Sequence, residues 1–365
     1  MSMSSKPLVL SECKAYLTEN ARAAGSAYAD SRSMSFKCVF NAVSHRKTIP
    51  LGNLEGFLWF VAGAAPYNWG KWTSPETAAD ASAIRAPTIK MTKPQLHFAH
   101  ANSYPAGTYR RFFDLLSQDF DIQALDMHAH NPRYPVQTGW GALVDEYIAE
   151  LAARYSEPVI LLGHSLGGML SLMVAKARPD LVRCVVLLDS PVVAGWRALL
   201  LRLLRNSTLG ERYFSPARFS ARRRKLWPDA EAAYQHFAAK DMFAIWAPDV
   251  LRDYIASGLA PHPEGMQLRF TREIETDVYR SLPHHIGSLV KGKYPVPIGF
   301  IGGSESVECR QAGLGPTRKL VGRFFRQIPG GHLFPMESPE LAAQETRQMI
   351  AALLASSKQG RATAA

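Results

Sequence analysis

The segment Gly163-His164-Ser165-Leu166-Gly167 places a serine hydroxyl between glycines, the residue pattern that nucleophilic acyl transfer uses. Pro158-Val159-Ile160-Leu161-Leu162 before it reads as a buried strand, and Gly168 to Ala177 after it reads as a helix. A strand, a tight turn and a helix are the setting that exposes a serine at the top of a sheet. Such a turn strains the backbone of the nucleophile, and strand and helix approach closely only if neighbouring side chains are small. Gly163, Gly167 and Gly168 supply that room. The Leu166 N–H, at the start of the helix, is then aimed at the oxyanion that forms when Ser165 attacks a carbonyl.

The elements that must hold this turn begin near Met91, where apolar runs alternate with helical periodicity. That alternation predicts an α/β fold with a mostly parallel sheet flanked by helices. Gln95 to Ala99, Ile122 to Leu125, Val159 to Leu162, Cys184 to Leu188, Val296 to Ile301 and Phe324 to Ile328 read as its strands. Tyr109, Phe112, Phe113 and Leu116 share one helical face, and Val144, Tyr147, Ile148 and Leu151 share another, so both segments are expected to pack on the sheet. Ser338, Pro339 and Glu340 mark the start of the last helix as N-cap, first position and first-turn acid.

Gly163-His164-Ser165-Leu166-Gly167-Gly168, His97-Phe98-Ala99-His100-Ala101-Asn102 and Gly330-Gly331-His332 together resemble the α/β-hydrolase superfamily over about Pro94 to Leu354. The resemblance implies the chain order serine, acid, histidine. It makes His332, in a flexible loop before the last helix, the base. Two acids fit: Asp189 at the end of the Val185 to Leu188 run, as in a minority of the superfamily, and Glu305 in Gly302-Gly303-Ser304-Glu305-Ser306, where most members carry Asp. Asp189 is preferred and Glu305 stays open. The resemblance also makes the Asn102 backbone N–H the second oxyanion donor beside Leu166, with Ala101 where the family usually has Gly. Family members that form alkyl esters carry a carboxylate at the elbow, so Ser165 implies acyl transfer.

Residues 196–286 interrupt the alternation with helical, Arg-rich and aromatic-rich sequence and almost no strand signal. They read as a helical cap inserted into a core of residues 91–195 and 287–356, with 357–365 as a flexible tail. Trp196, Tyr213, Phe214, Trp227, Phe237, Phe243, Trp246 and Tyr254 are candidates for an apolar pocket or for the core of the cap itself. Arg222-Arg223-Arg224-Lys225 reads as a solvated helix face. Residues 1–90 have no sustained period, and three readings stand: a poorly ordered extension, a small added domain, or sequence upstream of a start at Met91.

The chain has 365 residues, with charged residues at one in five and a formal net charge of +11. Its basic residues are scattered, which argues against a nucleic-acid partner. Cys13, Cys38, Cys184 and Cys309 lack the spacing of a zinc site or the density of a disulfide scaffold. His128 and His130 form a pair without further ligands at metal spacing, so no metal or other cofactor is expected. The N-terminus has no continuous apolar signal segment, and Phe57 to Pro66 is too short to span a bilayer. The expectation is a cytoplasmic serine hydrolase, monomeric or homodimeric, cleaving small or medium apolar carboxylic esters. Thioester, amide or carbon–carbon bond hydrolysis by the same groups is the alternative within enzymes, and a non-catalytic ligand-binding protein is the alternative outside them.

Overall fold

The computed structural model describes residues 93–204 and 216–362. Residues 1–90, and Tyr213 and Phe214, lie outside the described residues, so the readings made on them are not taken further. Strands β1 (Gln95–Ala99), β2 (Asp121–Ala124), β3 (Val159–His164), β4 (Val182–Leu188), β8 (Ile298–Gly303) and β9 (Phe325–Ile328) form one sheet in the order β2-β1-β3-β4-β8-β9. Every neighbouring pair is parallel. Strand ends differ from the sequence reading by a residue or two. At β3 the ladder continues to His164, because Gly163 and His164 still pair with Leu187 and Leu188 before the chain turns.

A parallel sheet buried on both faces sends alternate side chains into two cores. Leu96, Phe98, Ile160, Leu162, Cys184 and Val186 face one core, closed by the helices Arg110–Leu116 and Pro339–Ala362. Ala99, Leu161, Val185 and Leu187 face the other, closed by the helices Gly141–Arg154 and Leu166–Ala177. The two predicted amphipathic helices therefore pack on opposite faces. Phe112 and Leu116 enter the first core; Val144, Tyr147 and Leu151 enter the second. The last helix starts at Pro339 as expected but runs to Ala362, so the segment read as a tail from residue 357 is helical through that residue.

Between β4 and β8, which are neighbours in the sheet, the chain makes a long excursion. It carries helices, as expected, and also a three-stranded antiparallel sheet in the order β5-β7-β6 that the sequence reading missed. The strands are β5 (Leu226–Trp227), β6 (Leu259–His262) and β7 (Gly265–Leu268). They are too short to show a period, and Pro261 inside β6 weakens its strand signal. The β6–β7 turn depends on Gly265, whose φ is 131° and whose Cβ, if present, would lie 2.1 Å from the Trp227 carbonyl oxygen.

Arg222 to Lys225 is a second correction. The run lies in a turn leading into β5, not on a helix, and Arg223 points inward. Its Nη1 donates to Glu275 Oε2 at 2.8 Å, Nη2 donates to the Tyr254 hydroxyl, and the two charged side chains are only 16% and 7% exposed. Trp227, Phe237, Phe243, Trp246 and Tyr254 are buried around this pair and pack on one another, with ring centroids 4.7 Å apart for Phe243 and Trp246 and 5.3 Å for Trp227 and Phe237. Through Tyr104, which packs on Trp246 and Tyr254, they are continuous with the first core of the sheet. Trp196 is instead 64% exposed.

Candidate active site

Ser165 sits between β3 and the helix Leu166–Ala177 with φ 53° and ψ −114°, a strained conformation for a residue with a side chain. The glycines make that turn physically feasible. A Cβ on Gly163 would lie 2.4 Å from the Gly167 carbonyl oxygen, one on Gly167 would lie 2.0 Å from the Ala99 carbonyl oxygen, and one on Gly168 would lie 2.1 Å from Ser190 Oγ. The turn is tied down from both sides: the Ser165 N–H donates to the Leu188 carbonyl and the Gly167 N–H to the His100 carbonyl.

His332 lies in the loop after β9, and its Nε2 is 3.0 Å from Ser165 Oγ. Its Nδ1 is 3.5 Å from Asp189 Oδ1. Asp189 ends β4 with φ 42° and is fully buried. Oδ1 accepts from Ser306 Oγ at 2.9 Å and Cys309 Sγ at 2.9 Å, and Oδ2 accepts the Gly303 N–H at 3.2 Å. Burial opposes its ionisation, but His332 and these donors outweigh burial and hold its pKa below the usual carboxylate value. For the His332 imidazolium, burial is likewise outweighed, by the Asp189 and Glu308 carboxylates, and its pKa is raised.

Glu305 does not reach His332. It is exposed on the turn after β8, where its N–H donates to Gly330 and its carbonyl accepts from Arg310. The acid from this region that approaches the ring is Glu308, on the helix Val307–Ala312, with Oε2 3.7 Å from Nδ1. Sequence reasoning missed it because the helix, which Ser306 caps by accepting the Cys309 N–H, turns the chain back towards His332 after Glu305.

Among the described residues, neither the Asn102 nor the Leu166 backbone N–H has a protein acceptor, although their neighbours do. Ala101 N–H donates to the Tyr109 hydroxyl at 3.2 Å, and the Asn102 side chain donates to the Glu275 carbonyl at 3.1 Å. His100 is spent within the core: Nδ1 donates to the Ala101 carbonyl and Nε2 accepts the His128 N–H. His130 bonds the His128 carbonyl and the Thr271 N–H, and His128 packs against Tyr147.

A further connection was not visible in sequence. His164 is fully buried, with Nε2 2.9 Å from the His332 carbonyl and Nδ1 2.7 Å from the Tyr109 hydroxyl. A carbonyl only accepts, so Nε2 carries the proton and Nδ1 accepts from Tyr109, whose oxygen in turn accepts the Ala101 N–H. One chain of hydrogen bonds thus runs from the Asn102 loop, through the elbow, to the backbone of His332. Burial, with the His332 charge adding to it, pushes His164 down to about 3, so the ring stays neutral and keeps this tautomer.

Residues 98–345 match the alpha/beta hydrolase family. The chain belongs to that family. Like other alpha/beta hydrolases it is similar in fold to solved structures. E-2-(acetamidomethylene)succinate hydrolase is 22% identical with a TM-score of 0.59, over 71% of this chain and 92% of that one. The peroxisomal alpha-beta-hydrolase of Saccharomyces cerevisiae is 17% identical with a TM-score of 0.55, over 72% of this chain and 78% of that one. A lipase of Mycobacterium tuberculosis, LipV, is 39% identical over 80 residues, which is 21% of this hydrolase and 29% of that protein's length. Among the described residues, no helix of this hydrolase is long and apolar enough to cross a membrane.

Proposed function

We propose that this alpha/beta hydrolase is a serine hydrolase that cleaves carboxylic esters of small or medium apolar substrates through an acyl-enzyme. The observation that carries the reading is the 3.0 Å approach of His332 Nε2 to Ser165 Oγ at a strained elbow, with Asp189 behind the ring. His332 takes the Ser165 proton as the hydroxyl attacks the ester carbonyl. Asp189 holds the ring and stabilises the imidazolium. The Asn102 and Leu166 N–H groups, which have no acceptor among the described residues, receive the oxyanion. His332 then protonates the departing alcohol, and water, deprotonated by the same ring, releases the acid. The excursion of residues 196–286 is the cap that sets substrate choice over a core of residues 91–195 and 287–356. Cys184 and Cys309 are free and buried, in keeping with a cytoplasmic setting.

A fluorophosphonate probe and a chain-length series of p-nitrophenyl esters test this on wild type and Ser165→Ala. Labelling and turnover that both disappear in the variant are expected. Equal labelling of the two proteins, or turnover surviving the substitution, refutes a nucleophilic Ser165.

A further inference from the structure

Asp189 is a crowded partner for His332. Its carboxylate already receives Ser306, Cys309 and the Gly303 N–H, and its Oδ1 stands 3.5 Å from His332 Nδ1, beyond ordinary hydrogen-bond length. Nδ1 is buried and makes no hydrogen bond among the described residues. Asp189 is fully enclosed and shares its carboxylate among three other donors.

Glu308 Oε2 is 3.7 Å from the same atom, and this side chain is 48% exposed. Among the described residues its one side-chain hydrogen-bond donor is Ser306 Oγ, at 3.4 Å. The Ser306 hydroxyl has a single proton and stands closer to Asp189, at 2.9 Å, so bonding to Asp189 leaves Glu308 without a committed donor. A half-exposed glutamate has the rotamer freedom to move the few tenths of an ångström that a hydrogen bond to Nδ1 requires. The other groups facing His332 are Ser165, neutral His164 across the ring, and Glu337, which accepts the Gly331 N–H at 2.8 Å and is thereby held to its own loop.

We propose that Glu308 is a second carboxylate partner of His332, positioning the ring and stabilising its charged form alongside Asp189. The inference rests on the Ser165–His332 reading above. It assigns two acids, one at the end of β4 and one on the helix Val307–Ala312, to one base, the buried one fixing the ring plane and the half-exposed one adding a salt-sensitive charge.

The test is the pH dependence of p-nitrophenyl butyrate hydrolysis by wild type, Glu308→Gln, Asp189→Asn and the double variant, with circular dichroism as the check on folding. A carboxylate next to imidazole favours the charged ring, so Glu308→Gln should move the acid-side inflection of kcat/KM to lower pH by about 0.5–1. Raising ionic strength should move wild type the same way and leave Glu308→Gln nearly unchanged. Asp189→Asn should keep activity that falls at least about tenfold further in the double variant. An unmoved inflection in Glu308→Gln, or a double variant equal to Asp189→Asn, overturns the proposal while Ser165→Ala still abolishes turnover. Turnover that survives Ser165→Ala removes the underlying reading instead.

Discussion

Acidification should unfold this protein through three histidines that are buried without charge. His97, His100 and His164 are fully enclosed. Burial, with His128 and Arg154 adding to it, pushes His97 down to about 3; burial, with His332 adding to it, does the same to His164. His100 is also held well below its ordinary value of 6.5 by burial and by His128. A group whose folded pKa is depressed contributes stability that is present above its unfolded pKa and lost as pH falls through its folded one. The window is therefore from about 6.5 down to about 3. At pH 5 a ring held at about 3 costs about 2 kcal/mol by staying neutral in the folded state, and His97 and His164 together cost about 4 kcal/mol. That is comparable with the ~5–15 kcal/mol that holds a typical domain together. His332 adds nothing in this window: its raised pKa gives stability present below 6.5 and lost only as pH rises through the folded value. Asp189, depressed from 3.8, acts only below that. Urea denaturation followed by tryptophan fluorescence from pH 7.5 to 5 should give a slope that approaches about 3 kcal/mol per pH unit from the two protons of His97 and His164, to which His100 adds in the same direction. His97→Gln should remove one proton's share, about 1.4 kcal/mol per pH unit. A slope between pH 6 and 5 that corresponds to one proton or fewer refutes the reasoning.

Two further substitutions probe the packing that supports the site. Tyr109→Phe removes one oxygen and leaves the buried Ala101 N–H and His164 Nδ1 unpaired. It should destabilise by about 2–4 kcal/mol, and because it frees the Asn102 loop it should lower kcat more than it raises KM; stability and steady-state kinetics on the one variant check both. Arg223→Met leaves Glu275 buried without its counter-charge and should cost about 3–5 kcal/mol, whereas Arg223→Met with Glu275→Leu should recover most of that in thermal unfolding.

Much of the fold was legible because its signals are local. Strand runs and helical periods are properties of a few consecutive residues, and Gly163, Gly167 and Gly168 announce a turn whose steric limits lie within the strand–helix unit and the strands beside it. The short β5, β6 and β7 were not legible, since strands of two to four residues carry no readable period. Arg223 was misread for a related reason: charge in a basic run reads as surface, and its burial depends on Glu275, which lies 52 positions away.

Sequence by itself determined the parallel α/β class, the strained turn at Ser165 and the strand, loop and helix that carry His332. Tertiary structure decided which carboxylates stand behind the His332 ring. Asp189 and Ser306 meet across 117 positions because β4 and β8 are neighbours in the sheet, and that pairing turns Glu305 to solvent and brings Glu308 to the ring. The physical reason is range. Backbone strain and hydrophobic period act within a few residues, whereas a charge acts on whatever the fold brings within a few ångströms of it.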